Sequence, residues 1–556
     1  MMKNFHTNIQ LIIFCCFTIL IFAFCGCANA DNILNESSLT EQTSPSPAPT
    51  SSTASISTGE WDDTAATHIT CSDTSFEIDG TGADTNANTL TINAAGTYVL
   101  SGTLSNGQII VDAGDNDIIQ LVLNGLDITC LNQSPISVSN AEEVTVTLAP
   151  DSINKITDDT EYVFASAEDD EPNATLFSKD DLIINGSGSL TVNANYYHGI
   201  SSKDDLTITS GNITVNSIQD AVRGKDSLTI AGGNLTINAG DDALHTEQDL
   251  VIDGGNIQIT ACTEGLEGMT VTVNGGDINL TSSDDGINAA GSGSEGETTT
   301  NDTNISETNV DATKMKPGDV MSPGGGMDAA TDYNSISITG GNLVIDANGD
   351  GIDTNGTLFI SGGTTTLFGP VNDGNGSIDY AGNFEITGGT LIAAGSSGMA
   401  QTPSTSSSQA SLMVYFNSEQ TAGTIYELLN DEDEIIASVT PTKKYKCVLV
   451  STPSLVLNAT YNINTNGNSL CTVTPEEIIT RISEDGSAIQ RGGFGQFPRM
   501  GGGPGGKTGE TISGNGMPPM GEMPPDGETP PSGEMPPDGE MPPSGETPTR
   551  TPRENN

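Results

Sequence analysis

Across residues 179–291 one phrase is written five times, at about 22 residues per copy. The copies read KDDLIINGSGSLTVNANYYHGISS, KDDLTITSGNITVNSIQDAVRG, KDSLTIAGGNLTINAGDDALHT, EQDLVIDGGNIQITACTEGLEG and MTVTVNGGDINLTSSDDGINAAG. The phrase resumes at Tyr333 as YNSISITGGNLVIDANGDGIDTNG. A fixed period of this size marks a solenoid, because one copy cannot bury its apolar residues and a stack of copies can. One aliphatic pair recurs as Leu206/Ile208, Leu228/Ile230, Leu250/Ile252, Val271/Val273 and Ile336/Ile338. A second recurs as Ile213/Val215, Leu235/Ile237, Ile257/Ile259, Ile278/Leu280 and Leu343/Ile345. A single ladder follows through Ile200, Val222, Leu244, Leu266, Ile287 and Ile352. Alternate residues of a strand face the same way, so these ladders predict three aliphatic walls around one axis. The expected fold is all-β, a parallel β-helix (β-solenoid) with three short sheets. A propeller would need a repeat of about 40 residues or more.

The turn between the two paired walls carries Ser210-Gly211 and then the glycine pairs ending at Gly233, Gly255, Gly276 and Gly341. Glycine supplies the positive φ of a tight corner. The next residue is Asn212, Asn234, Asn256, Asp277 or Asn342, read as a structural amide ladder. Upstream, Ile109, Leu121, Ile136 and Val144 open short alternating runs that suit less regular coils of the same stack. Residues 151–173 read as a polar loop leaving the body.

The expected organisation is a lipoprotein-type signal peptide at 1–26, a Ser/Thr/Pro tether at 27–59, the β-helix at 60–400 with a polar loop inserted at 292–332, a small β-module or cap at 411–475, and a Gly/Pro/Met-rich disordered tail at 484–556. An apolar run at 11–24 ends in Cys25-Gly26-Cys27. This resembles a bacterial lipobox with Cys27 as the lipidated terminus; an ordinary secretory signal or membrane anchor is the alternative. The expected location is therefore the extracellular face of the cell membrane. Five further cysteines are dispersed without CxxC spacing, so neither zinc nor a disulfide framework is indicated. Cys447 and Cys471 are the one pair near enough in sequence for a local bridge.

The formal net charge is −56. Such a field disfavours nucleic acid and anionic lipid and favours cations, so an acidic ligand would bind most easily with a metal ion between the two anions. Nine residues after each turn glycine stands an acid: Asp220, Asp242, Glu264, Asp285 and Asp350, with Asn372 in the same count one coil on. Asp241 and Asp284 precede this column and Asp353 follows it. At a coil spacing of about 4.8 Å, two neighbouring carboxylates repel by roughly 3–4 kcal/mol at an effective dielectric near 20. Ca²⁺ between coils would relieve that, as would solvation of splayed side chains. Residues 346–356 match the first half of an EF-hand loop, but Thr357 stands where the bidentate Glu is required. Lys179, Lys203 and Lys225 each precede an Asp and suggest stacked surface ion pairs.

Near the same corner lie Tyr196, Tyr197, His198 and Arg223. The tyrosines could stack on a sugar ring or cover a coil edge. His198 takes the place of the acid at the N-terminal end of the column. Arg223 beside Asp220 suits a salt bridge, or a catalytic base in a calcium-dependent lyase.

The opening GTYVLSGTLSNGQIIVDA, the phrases LVLNGLDIT and SPISVSNAEEVTVTLAP, and coils of the type GGNLTINAGDDALHT occur together and in order. In them the chain resembles a family of clostridial cell-surface carbohydrate-binding proteins with a right-handed parallel β-helix, over roughly residues 73–466. That resemblance implies a non-catalytic, calcium-containing module for plant cell-wall polysaccharide, such as cellulose or acidic, pectin-like sugars. A calcium-dependent polysaccharide lyase or hydrolase on the same fold, and a structural or adhesive spacer, are the other readings.

Overall fold

The computed structural model describes residues 59–166, 168–290 and 333–489. The expected signal peptide, Cys27, the expected tether up to residue 58, the expected inserted loop and all but the first residues of the expected tail lie outside the described residues.

The three sequence ladders become three walls of parallel strands. In the first, Asp205–Ile208, Ser227–Ile230, Asp249–Ile252 and Thr270–Val273 pair coil to coil, with Leu206, Leu228, Leu250 and Val271 in register. In the second, Asn212–Asn216, Asn234–Asn238 and Asn256–Ala261 do the same. The third runs through His198–Ser202, Val222–Gly224, Leu244–His245, Leu266–Glu267, Ile287–Ala289 and Ile352–Thr354. The aliphatic residues of all three walls are buried in one continuous core. Val271 pairs with Ile336 across the inserted segment, so the coil register resumes directly.

The turn glycines adopt the expected left-handed conformation, for example φ 94° at Gly233 and 99° at Gly255. The residues after them are exposed, and one ladder link is formed, from Asn234 Nδ2 to Asn212 Oδ1 at 2.8 Å.

The irregular N-terminal stretch joins the same stack. Gly96–Leu104 and Ile118–Thr129 each bend across both paired walls, and Ile109 aligns with Ile136 in the third. Residues 151–173 are not all loop. Ile153–Thr157 is a strand between Ile118–Thr129 and Ser189–Asn193, its alternation hidden in sequence by the polar residues around it.

At the far end Thr390–Gly395 pairs antiparallel with Tyr445–Ser451, which pairs in turn with Ser411–Gln420. A four-stranded antiparallel sheet packs on this layer through a second core containing Phe368, Ile392, Tyr426 and Tyr445. Open sheet edges invite further pairing, and these strands cover one. The chain continues to a β-bridge between Ile482 and Ala488. Cys447 and Cys471 form no disulfide and lie on strands of different sheets, which overturns the local bridge.

Candidate functional site

The corner between the second and third walls carries the acid column, and the fold uses these residues before any ligand does. Their backbone carbonyls accept N–H bonds from the preceding coil: Gly199 to Asp220 at 3.0 Å, Ala221 to Asp242 at 2.9 Å, Ala243 to Glu264 at 3.0 Å, Gly265 to Asp285 at 3.1 Å and Gly286 to Asp350 at 2.9 Å. One side-chain oxygen of several acids accepts from the next coil. Asp350 N–H donates to Asp285 Oδ1 at 2.6 Å, and Gly376 N–H donates to Asp350 Oδ1 at 2.6 Å. The residue after each acid must be small. A Cβ on Gly286 would collide with Ile345 of the neighbouring coil.

Gly376, not Asn372, therefore follows Asp350 in the column. The corner before Ile378–Tyr380 is longer, and Asn372 lies exposed in it. The EF-hand-like match forms no loop site. Asp346 belongs to strand Asn342–Ala347 and pairs with Lys443 at 2.8 Å.

A second column stands beside the first, and sequence reasoning missed it as a column. Ser201, Arg223, His245, Glu267, Asn288, Asp353 and Asp379 occupy one register, each directly after a third-wall aliphatic. That position was readable, because a polar residue following a buried one on a strand faces outward. Its side chains meet the acids. Arg223 Nη1 is 3.3 Å from Asp220 Oδ2 and its Nη2 is 3.1 Å from Glu247. His245 Nδ1 is 2.9 Å from Asp242 and 2.7 Å from Glu267. Asn288 Nδ2 donates to Glu264 at 2.7 Å.

The strip so formed has two electrostatic halves. Around Asp220 and Asp242 the protein supplies its own cations, Arg223 and His245. Further along, among the described residues, no Lys, Arg or His pairs with Glu264, Asp285 or Asp350. Within the column Asp220, at 3% exposed, and Asp350, at 8%, are buried, and Glu264 and Asp285 are half-buried. Burial pushes the carboxyls of Asp220 and Asp285 up to about 6 and those of Glu264 and Asp350 up to about 8. Burial opposes the charge on His245, but its bonds to Asp242 and Glu267 raise it to about 10. Burial, then the charges of Arg223 and His245, drives His198 down to about 3, so its ring is neutral. His198 Nδ1 lies 3.3 Å from Asp220 Oδ2 without a hydrogen-bond partner.

Ligand atoms within 4.8 Å of one another gather Asp220, Asp242 and His245; Asp242, Glu264 and Glu267; and Asp285, Asp350 and Asp353. The last two sets offer oxygen alone, the donor set of a hard divalent cation. Asp241 and Asp284 fall outside these trios, although a Cβ at Gly349 would collide with the carboxylates of Asp284 and Asp285. Asp181, Asp204 and Asp205 form a more exposed trio at the start of the first wall.

The lysine column does not build stacked Lys–Asp pairs. Lys203 and Lys179 both reach Glu171, at 2.7 and 3.9 Å, because the 158–173 loop folds back over them. Tyr196 stacks on Tyr162 of that loop, and Tyr197 meets His198 edge-on.

A relative from Acetivibrio thermocellus, described as a carbohydrate-binding domain-containing protein, is 45% identical over 126 residues, covering 23% of this chain and 44% of its own length. The chain thus spans less than half of that relative. A solved polysaccharide lyase-like protein from C. thermocellum, a gadolinium derivative, is 26% identical, with 58% of this chain and 97% of that chain covered at a TM-score of 0.37. The profile of the family described as carbohydrate-binding domain-containing protein matches residues 86–368. That match takes in just over half of the chain and nearly every coil of the stack, and the protein belongs to that family.

Proposed function

We propose that this protein is a non-catalytic, cell-surface polysaccharide-binding protein whose coil stack is a right-handed parallel β-helix carrying Ca²⁺ in its corner strip. The observation that supports it is the set Asp285, Asp350 and Asp353, three converging carboxylates of which the first two have no basic partner among the described residues. Buried like charges need neutralising, and an all-oxygen set suits Ca²⁺ better than a softer ion. At the N-terminal end Arg223 and His245 serve that purpose, and His245 already holds Asp242 and Glu267. The bound ion would also let a chain of net charge −56 accept an acidic, pectin-like glycan. Lipid attachment at Cys27 would place the module on the outer face of the cell membrane.

Sedimentation with insoluble pectin and cellulose, with Ca²⁺ or with EGTA, tests this reading. Binding to the acidic polymer should require Ca²⁺. A protein that keeps no calcium through dialysis and binds pectin equally well in EGTA would refute it. Appearance of unsaturated uronide absorbance with polygalacturonate would instead establish a lyase.

A further inference from the structure

Aromatic residues are only 4% of this chain, yet four of them meet beside the strip. Tyr162 and Phe164 come from the 158–173 loop, and Tyr196 and Tyr197 from the adjoining corner. The rings of Tyr162 and Tyr196 stack at 4.1 Å and 13°. Phe164 tilts against both, at 6.3 and 6.4 Å, and Tyr197 lies 6.0 Å from Tyr196. The group is not submerged: Tyr197 is 39% exposed and Val163 60%. Gln219 N–H donates to the Tyr197 carbonyl at 3.1 Å, which brings Ile218, itself 55% exposed, alongside one coil further on.

The described residues of the loop are pinned at several points. Buried Asp158 accepts hydrogen bonds from the Tyr162 and Thr175 hydroxyls, each at 2.9 Å, and from Asn195 N–H. At its middle, Val163 N–H donates to Asn132 O at 2.8 Å and Gln133 Nε2 donates to Val163 O at 2.7 Å. Glu171 anchors the far end on Lys179 and Lys203. The next coil rounds the same corner with residues 194–197 alone. Loop closure therefore does not require this excursion, and coil packing does not require exposed apolar side chains at its tip.

We propose that the 158–173 loop and the corner at Tyr196–Tyr197 form a stacking subsite for pyranose rings that works without a metal ion. The inference rests on the polysaccharide-binding reading above and adds a second chemistry to it. A pyranose presents a flat C–H face and a rim of hydroxyls. A tyrosine offers a polarisable face to the first and a hydroxyl to the second. Rings already held in place lose little freedom on binding. The coil spacing of about 4.8 Å is close to the length of one sugar residue in an extended chain. A glycan seated on Tyr197 would then pass over Asp220 and Asp242, coil by coil, toward Asp285 and Asp350. The platform grips neutral rings and the cation strip grips carboxylates.

Calorimetric titration of the full chain with a soluble cello-oligosaccharide and an oligogalacturonide, each in Ca²⁺ and in EGTA, tests this. Neutral-sugar binding should survive EGTA, and Tyr197→Ala or Phe164→Ala should weaken it about tenfold. Tyr333→Ala, at a tyrosine that is 77% exposed elsewhere, should not. If the wild type binds the acidic sugar with Ca²⁺ but the neutral sugar not at all, the platform is refuted and the strip stands. Wild-type neutral affinity in Tyr197→Ala also overturns it. Failure to bind either sugar under any condition removes the polysaccharide reading itself.

Discussion

Replacing Asp350 by Asn should stabilise the protein when divalent cations are absent. In the trio with Asp285 and Asp353, a carboxylate oxygen of each residue lies within 4.8 Å of the others. At an effective dielectric near 20, each charged pair at that distance costs about 3.5 kcal/mol, and Asp350→Asn removes two of the three pairs. The fold limits that cost by holding a proton: burial, with Asp285 and Asp353, carries the Asp350 carboxyl from 3.8 up to about 8. At pH 8 such a displacement costs the folded state at most about 5 kcal/mol. Asparagine keeps an oxygen for the Gly376 N–H, now 2.6 Å from Asp350 Oδ1. A gain of about 2–5 kcal/mol is expected, or about 4–10 °C in Tm at about 2 °C per kcal/mol. Calcium at about 1,000 times its Kd returns about 4 kcal/mol to the wild type, so the gap should close or reverse. Differential scanning calorimetry at pH 8, in EGTA and in Ca²⁺, reads both arms. If Asp350→Asn melts at or below the wild type in EGTA, the buried acids are not a burden and the argument for a cation fails.

Three further outcomes follow from the same structure. Cation-free stability should fall as pH rises from about 4 to 8, because the raised carboxyls of Asp220, Asp285, Glu264 and Asp350 make the folded state bind more protons than the unfolded state in that window; the raised pKa of His245 adds stability below about 6.5 that is lost as pH climbs through about 10, so urea midpoints in EGTA that stay flat or rise from pH 5 to 8 would contradict the scheme. Ile237→Ala, fully buried in the second wall, should cost about 2–5 kcal/mol in urea unfolding, against under about 0.5 kcal/mol for Ile218→Ala, which is 55% exposed. Asp158→Ala removes the acceptor for Tyr162, Thr175 and Asn195 and should expose the 158–173 loop to limited proteolysis well before the coils are cut; equal cleavage rates would show that the loop is held by other contacts.

The aliphatic ladders were legible in sequence because each is a local property repeated at a fixed period. Leu206 and Leu228 share an environment whatever the corners do, and both lie at 0% exposure. The acid column was legible for the same reason through Asp350, where the count from the glycine turn holds; it fails at Asn372 because the next corner is longer and the register belongs to Gly376. Strand Ile153–Thr157 and the fold-back of the following loop were hidden, since their partners lie in distant coils. By itself, the sequence determined an all-β stack with a corner lined by acids. Only the tertiary structure decided which acids are neutralised from within, because that depends on side chains meeting across coils, as Arg223 meets Glu247 and His245 meets Glu267. It left Asp285 and Asp350 without such a partner among the described residues, and it set four aromatic rings at the other end of the same strip.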